Sequence, residues 1–453
     1  MRVCFGVKTQ QLISRVLSHP SSPSAAVGWR AAQTRLLCSP PTGEEKPRLS
    51  MLRHLTSKIK ATGPISVAEY MREVLTNPVT GYYVRNNMLG PDGDFITSPE
   101  ISQIFGELIG VWIISEWMGA GRPKQLQLVE LGPGKGSLAC DVLRVFSQLR
   151  SVLDGASVSL HLVEVSPVLG RLQAQNLTGD RSLEAEAEDE PVYRRGETSA
   201  GLPVSWYRRL DDVPTGFSIF LAHEFFDALP IHKFQRAQKG WREVMVDIDP
   251  EKPEQLRFVV APSATLASST LVQADERRGH VEVCAEGGVI VQQLARRIAE
   301  DGGAALIADY GHDGTKTDTF RGFKGHQLHD VLASPGSADL TADVDFSYLR
   351  RMAGGGVACL GPVTQRAFLK NMGIDSRMQV LLRSCGDAST REQLIGSYDM
   401  LTNPDKMGER FHFFGLLHHS RLAKPKRPEG LALEKKRSPA PLPVAGFTEL
   451  SFS

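Results

Sequence analysis

An excess of charge of one sign is missing from this chain. Its 453 residues hold 52 Lys and Arg against 51 Asp and Glu, a formal net charge of +1 at pH 7. No global electrostatic footprint for nucleic acid exists, and no nucleic-acid partner is expected. Cysteine is scarce: Cys4, Cys38, Cys140, Cys284, Cys359 and Cys385 stand without a C-x-x-C pair, so neither a zinc site nor a disulfide framework is indicated, and no metal is expected. Unpaired thiols suit a reducing compartment. Long apolar runs are absent too, since the longest uncharged stretch, 258–274, contains Pro262 and five Ser or Thr. No membrane-spanning segment is expected. Finally, no acid precedes Glu44, whereas Arg2, Lys8, Arg15, Arg30 and Arg35 fall in the first 43 residues among many Ser and Ala. That composition predicts a mitochondrial transit peptide over 1–43. A secretory core is missing, because "VCFGV" is too short and Arg15 interrupts "QLISRVL".

What is present is enough apolar residue, 41% of the chain, for a large core. "TSPEISQIFGELIGVWIISEWM" predicts a long core helix with Ser98 as N-cap and Pro99 at the first helical position. "LQLVEL" and "VSLHLVEV" read as strands separated by a helix from Ser137 to about Leu149, a βαβ unit. Residues 177–202, acidic and then polar, read as a solvent loop. "REVMVDI" and "LRFVVAP" read as an inserted strand pair, and 288–311 as helix followed by strand. The expected organisation is a helical N-terminal region over 44–125, an α/β domain over 126–420 with an insertion at about 236–285, and a disordered basic, Pro-rich tail over 421–453.

"VELGPGKGSLACDVL", residues 129–143, sets a carboxylate before three glycines in five residues. A phosphate-cradling G-x-x-x-x-G-K-[ST] loop is excluded because Gly136 follows Lys135. A dinucleotide loop needs G-x-G-x-x-G, but Gly132, Gly134 and Gly136 give G-x-G-x-G, Pro133 removes a backbone donor, and Glu130 would repel a pyrophosphate. S-adenosyl-L-methionine has no phosphate and carries an ammonium and a sulfonium, which Glu130 attracts. Its ribose hydroxyls need an acceptor at the end of the next strand, where Glu164 stands, followed by Ser166 and Pro167 as cap and first turn of a helix.

E-x-G-x-G-x-G at Glu130 to Gly136 resembles motif I of class I methyltransferases. Together with "GDFITSPEISQIFGELIG", "AHEFFDALP" and "ADLTADVDF", it makes the chain from about Leu52 to His419 similar to the MidA family, the complex I assembly factor type of protein arginine methyltransferase. The resemblance implies a Rossmann-like S-adenosyl-L-methionine-dependent fold with a mainly parallel sheet, a helical N-terminal extension and inserted β elements. It further implies a mitochondrial matrix location and type II chemistry, symmetric dimethylation of an arginine on the iron-sulfur-fraction subunit 2 of complex I during its assembly.

Methyl transfer to arginine needs carboxylates that orient a guanidinium whose lone pair is delocalised. Glu224 and Asp227, three apart after a buried strand, could form a fork for it, and His223 could take the released proton. The alternative is that Glu224 caps or pairs structurally while the protein is a non-catalytic, cofactor-binding assembly chaperone. "SEWMG", 115–119, precedes motif I, so Trp117 and Met118 are expected in a helix core. His326 and His329 lack further ligands at metal spacing, and "FRGFKGHQLHD" is expected to be either a mobile basic and aromatic loop over the substrate side or an ordinary surface loop.

Overall fold

Apolar strands alternating with helices build the centre of the molecule. The computed structural model describes residues 50–85, 97–179, 181–185, 190–422 and 443–448. The expected leader and most of the basic tail lie outside them. Helices α1 (Met51–Thr62) and α2 (Val67–Thr76) each start on a serine whose hydroxyl accepts an N–H three residues on, Ser50 from Arg53 and Ser66 from Glu69. Helix α3 (Gln103–Gly119) is apolar on every side and buried, with Trp117 and Met118 in its core.

Its expected start at Ser98 is corrected. Ser98–Ile101 is a separate turn preceded by Thr97, whose N–H is accepted by Glu100 Oε2 at 3.3 Å. Ser102, extended at φ −156°, then caps α3 by accepting Ile104 N–H. A serine hydroxyl competes with the helix for backbone donors, and here it restarts one.

The chain continues through β1 (Gln125–Leu131), α4 (Ser137–Gln148), β2 (Ser157–Val163) and α5 (Pro167–Thr178). Strands β1 and β2 are parallel, as the βαβ pattern predicts. The segment expected to be a solvent loop is instead β3 (Ser182–Glu184) and β4 (Val192–Glu197), followed by β5 (Pro203–Tyr207). These strands form one edge of the sheet, where one face meets water and polar side chains are compatible with pairing. Next come β6 (Ser218–His223), α6 (Ala285–Asp301), β7 (Gly303–His312), β8 (Ala358–Thr364) and β9 (Phe411–Leu417). The order is β8-β9-β7-β6-β1-β2-β5-β4-β3, parallel from β5 through β7 and antiparallel on both flanks. From β1 the chain moves outward to β2 and β5, then returns to β6 on the other side of β1. That reversal opens a crevice at the carboxyl ends of β1 and β6.

Between β6 and α6 a five-stranded antiparallel sheet is inserted: His232–Ala237, Gly240–Ile248, Leu256–Val260 and His280–Val283, joined by Ile65–Ser66 from the N-terminal region. Met51, Leu55, Tyr70 and Met71 of α1 and α2 share a core with Ile231, Val246 and Leu256 of this insertion, so the N-terminal helices are fastened to it. "FRGFKGHQLHD" is no loose loop. Arg321–Lys324 and Gln327–His329 form a hairpin that pairs with Asp339–Thr341. The tail expected to be disordered from 421 also needs correction. Arg421 makes a two-pronged ion pair with buried Glu116 at 2.8 and 3.0 Å, and Val444 and Ala445 are buried while Phe447 meets Phe368 edge-on. A few apolar residues suffice to dock a segment whose average composition is polar. No helix among the described residues is long and apolar enough to cross a membrane.

Candidate active site

A cleft of about 1040 Å³ opens at the crevice between β1 and β6. Glu130, Gly132, Gly134, Glu164, His223 and Glu224 all help to wall it, so residues from three separate places in the sequence converge. Gly136 sits just behind, in the left-handed conformation at the start of α4, where its N–H bonds to Pro133 O at 2.7 Å. Gly132 and Gly134 also have positive φ, +62° and +55°. At Gly132 a Cβ would lie 2.7 Å from Cδ2 of Phe225, so only glycine lets the ring of the β6 loop close on the β1 loop.

The electrostatics of the cleft are those of a cation site. Glu130 is 2% exposed, and its Oε2 is a buried oxygen without a hydrogen-bond partner among the described residues. Burial alone pushes its carboxyl up to about 8. Glu164 closes β2: Oε1 accepts Ser166 N–H at 2.7 Å and Oε2 accepts Gln173 Nε2 at 3.0 Å. Burial outweighs these bonds and raises Glu164 to about 7. Ser166, the predicted cap, accepts Leu169 N–H and donates its hydroxyl to Tyr83 O at 2.8 Å. Lys135 stands 3.5 Å from Glu100 and, among the described residues of the wall, is the lone Lys or Arg against four glutamates. Such a lining rejects phosphate. A buried carboxyl at Glu130 suits an ammonium and one at Glu164 suits ribose hydroxyls, so the lining is compatible with S-adenosyl-L-methionine.

Past the glycine loop, β6 ends on His223, and Glu224 follows it. Glu224 holds φ +48°, unusual for a side-chain residue, with its N–H on Ala308 O at 3.0 Å and its Oε1 accepting Ser98 N–H at 3.4 Å. The turn is not helical. Asp309, at 0% exposure, accepts the successive N–H groups of Phe225, Phe226 and Asp227 on one oxygen at 3.2, 2.9 and 3.3 Å. The expected fork is therefore altered. Glu224 walls the cleft, whereas Asp227 is buried beside Asp309 and Asp339, away from the wall. Burial first, and then Asp227, raises the Glu224 carboxyl well above the ordinary range, and burial with Asp339 lifts Asp227 to about 7. His223 lies between Phe105 and Phe411, with Nε2 3.6 Å from Glu224 Oε1, and burial lowers it to about 3.

Gln173, Trp206, Phe225, Tyr83 and Asp309 escape a reading of the sequence. For Gln173 a signal exists: Gly170, Gln173, Ala174 and Leu177 form the buried stripe of α5, and an amide on an apolar stripe asks for partners. His326 and His329 lie on the hairpin, and neither walls the cleft.

One expected outcome follows from Glu130. Its folded-state value of about 8 exceeds the ordinary 4.5, so the folded protein holds a proton that the unfolded chain gives up between these values. Stability of the cofactor-free protein should fall as pH rises through that window. Glu130→Gln should melt higher than the parent at pH 8, show a smaller advantage at pH 5, and bind cofactor more weakly. Thermal unfolding at the two pH values checks this, and equal shifts at both would refute the buried, protonated acid.

Comparison with known proteins agrees with this geometry. The sequence profile of a family of S-adenosyl-L-methionine-dependent methyltransferases matches residues 108–363. A Danio rerio protein named "Protein arginine methyltransferase NDUFAF7, mitochondrial" is 70% identical over 401 residues, covering 88% of this chain and 93% of that protein. The Homo sapiens protein of the same name is 61% identical over 408 residues, covering 90% and 92%. A Burkholderia thailandensis protein solved with S-adenosyl-homocysteine superposes with a TM-score of 0.66 at 25% identity, over 81% of this chain and 92% of that one.

Proposed function

The chain belongs to this family of S-adenosyl-L-methionine-dependent methyltransferases, and from that membership we propose that it methylates an arginine side chain of a protein. S-adenosyl-L-methionine is the cofactor and supplies, when bound, a methyl group activated by its sulfonium. Glu130 would hold its ammonium, the loop from Gly132 to Gly136 its methionine part and Glu164 its ribose.

The observation that carries the arginine reading is Glu224, a buried carboxyl held at φ +48° on the cleft wall beside Phe225 and the glycine loop. Burial and the neighbouring Asp227 disfavour its charged form until an opposite charge arrives. A guanidinium entering beside it supplies the counter-charge that ionises it, giving a charge-assisted pair that fixes one nitrogen for in-line attack. Asp227 acts behind it by adding negative potential. His223, unprotonated at neutral pH, accepts the proton released on transfer. Its basicity rises once Glu224, 3.6 Å away, carries charge.

The names of the relatives support an arginine acceptor and a mitochondrial setting. The finer reading is symmetric dimethylation, type II, of an arginine on the iron-sulfur-fraction subunit 2 of complex I, in the matrix. Incubation of the protein with that subunit and methyl-labelled cofactor, followed by hydrolysis and amino-acid analysis, tests it. Symmetric dimethylarginine is expected. Cofactor binding without labelled product would instead indicate a cofactor-binding assembly chaperone. For the leader, a chain begun at Glu44 should fold, bind cofactor and stay in the cytosol. Imaging that finds it inside mitochondria would refute the targeting assignment.

A further inference from the structure

Gln173 is fully buried on α5 and takes no part in the cleft wall. Its amide has a single sensible orientation. Trp206 Nε1, which can only donate, lies 3.0 Å from Oε1, so the oxygen faces the indole. The NH₂ group is thereby turned to Gly134 O at 2.8 Å and Glu164 Oε2 at 3.0 Å. The opposite flip would set oxygen against oxygen twice and leave the indole N–H facing another donor. One amide thus joins β5, the glycine loop and the end of β2. On the same helix, Asn176 Nδ2 donates to Lys135 O at 2.9 Å, so α5 holds two successive carbonyls of the loop.

We infer that Gln173 is a positioning residue for the cofactor, setting the glycine loop and the Glu164 carboxylate at a fixed separation, with Trp206 acting through it by fixing the amide orientation. The methionine-binding and ribose-binding halves of the cleft are then organised before the ligand arrives, which removes part of the ordering cost of binding. The inference rests on the cofactor assignment and is independent of the arginine reading.

The test measures S-adenosyl-homocysteine binding by calorimetry, with thermal unfolding of each cofactor-free protein as the check on folding. Gln173→Met keeps volume and removes all three bonds, and affinity should fall about tenfold to a hundredfold. In a Glu164→Ala background the same change should cost at least about threefold less, because one of its two cleft partners is gone. Trp206→Phe keeps an aromatic ring away from the ligand and removes only the donor that orients the amide. It should weaken binding by at least about threefold, and it carries the test alone if Gln173→Met does not fold. Folded Gln173→Met or Trp206→Phe with wild-type affinity would overturn the inference alone, as would a loss of equal size in both backgrounds. Absence of binding by the wild-type protein would overturn the cofactor assignment, and the inference with it.

Discussion

Gly134→Val should reduce S-adenosyl-L-methionine affinity by about a hundredfold or more while the sheet stays folded. Gly134 holds φ +55°, where an L side chain costs about 1–2 kcal/mol and a β-branched one more. Its carbonyl is pinned by Gln173 at 2.8 Å, so the loop cannot relieve the strain by turning over without breaking that bond. The added methyl groups also occupy a wall where the ligand must come against backbone. Calorimetry gives the affinity and circular dichroism the fold. Gly134→Ala should bind more tightly than Gly134→Val, since it has the φ penalty and less bulk. Unchanged affinity in folded Gly134→Val would remove the glycine loop from the cofactor site.

The second large effect lies on the acceptor side. Glu224→Gln keeps the shape of the side chain and its place near Ser98 N–H, but it cannot take up negative charge when a guanidinium enters. Turnover should fall about a hundredfold or more, equivalent to about 2.7 kcal/mol of transition-state stabilisation, while cofactor affinity stays within about twofold. Asp227→Asn should cost less turnover, because Asp227 is buried behind the cleft wall and acts through potential alone. If both variants methylate at the parental rate, the arginine does not bind at this turn.

The cofactor half of the cleft was legible because its information is local. Strand, acid, three glycines, helix, second strand and second acid lie within 125–164, and Ser166 with Pro167 announces the next helix. The acceptor half was legible only in part. That β6 ends on His223 with Glu224 next in line is a local fact. That Asp309, 82 residues beyond Asp227, gathers three amides of the turn is not. Polarity misled twice. Strands β3 and β4 were hidden by their acidic surroundings, because an edge strand needs no apolar face on the solvent side. Average composition makes the tail polar, yet Arg421, Val444 and Ala445 are packed against the domain. The restart of the helix at Ser102 turns on one hydroxyl, and a string of apolar residues at helical spacing conceals it.

The most direct measurement is mass spectrometry of arginine methylation on the subunits of complex I from cells with the protein, without it, and with Glu224→Gln in its place. A protein arginine methyltransferase predicts a methylated arginine on the iron-sulfur-fraction subunit 2 that disappears in the second case and is strongly depleted in the third. The same methylation in all three would contradict it.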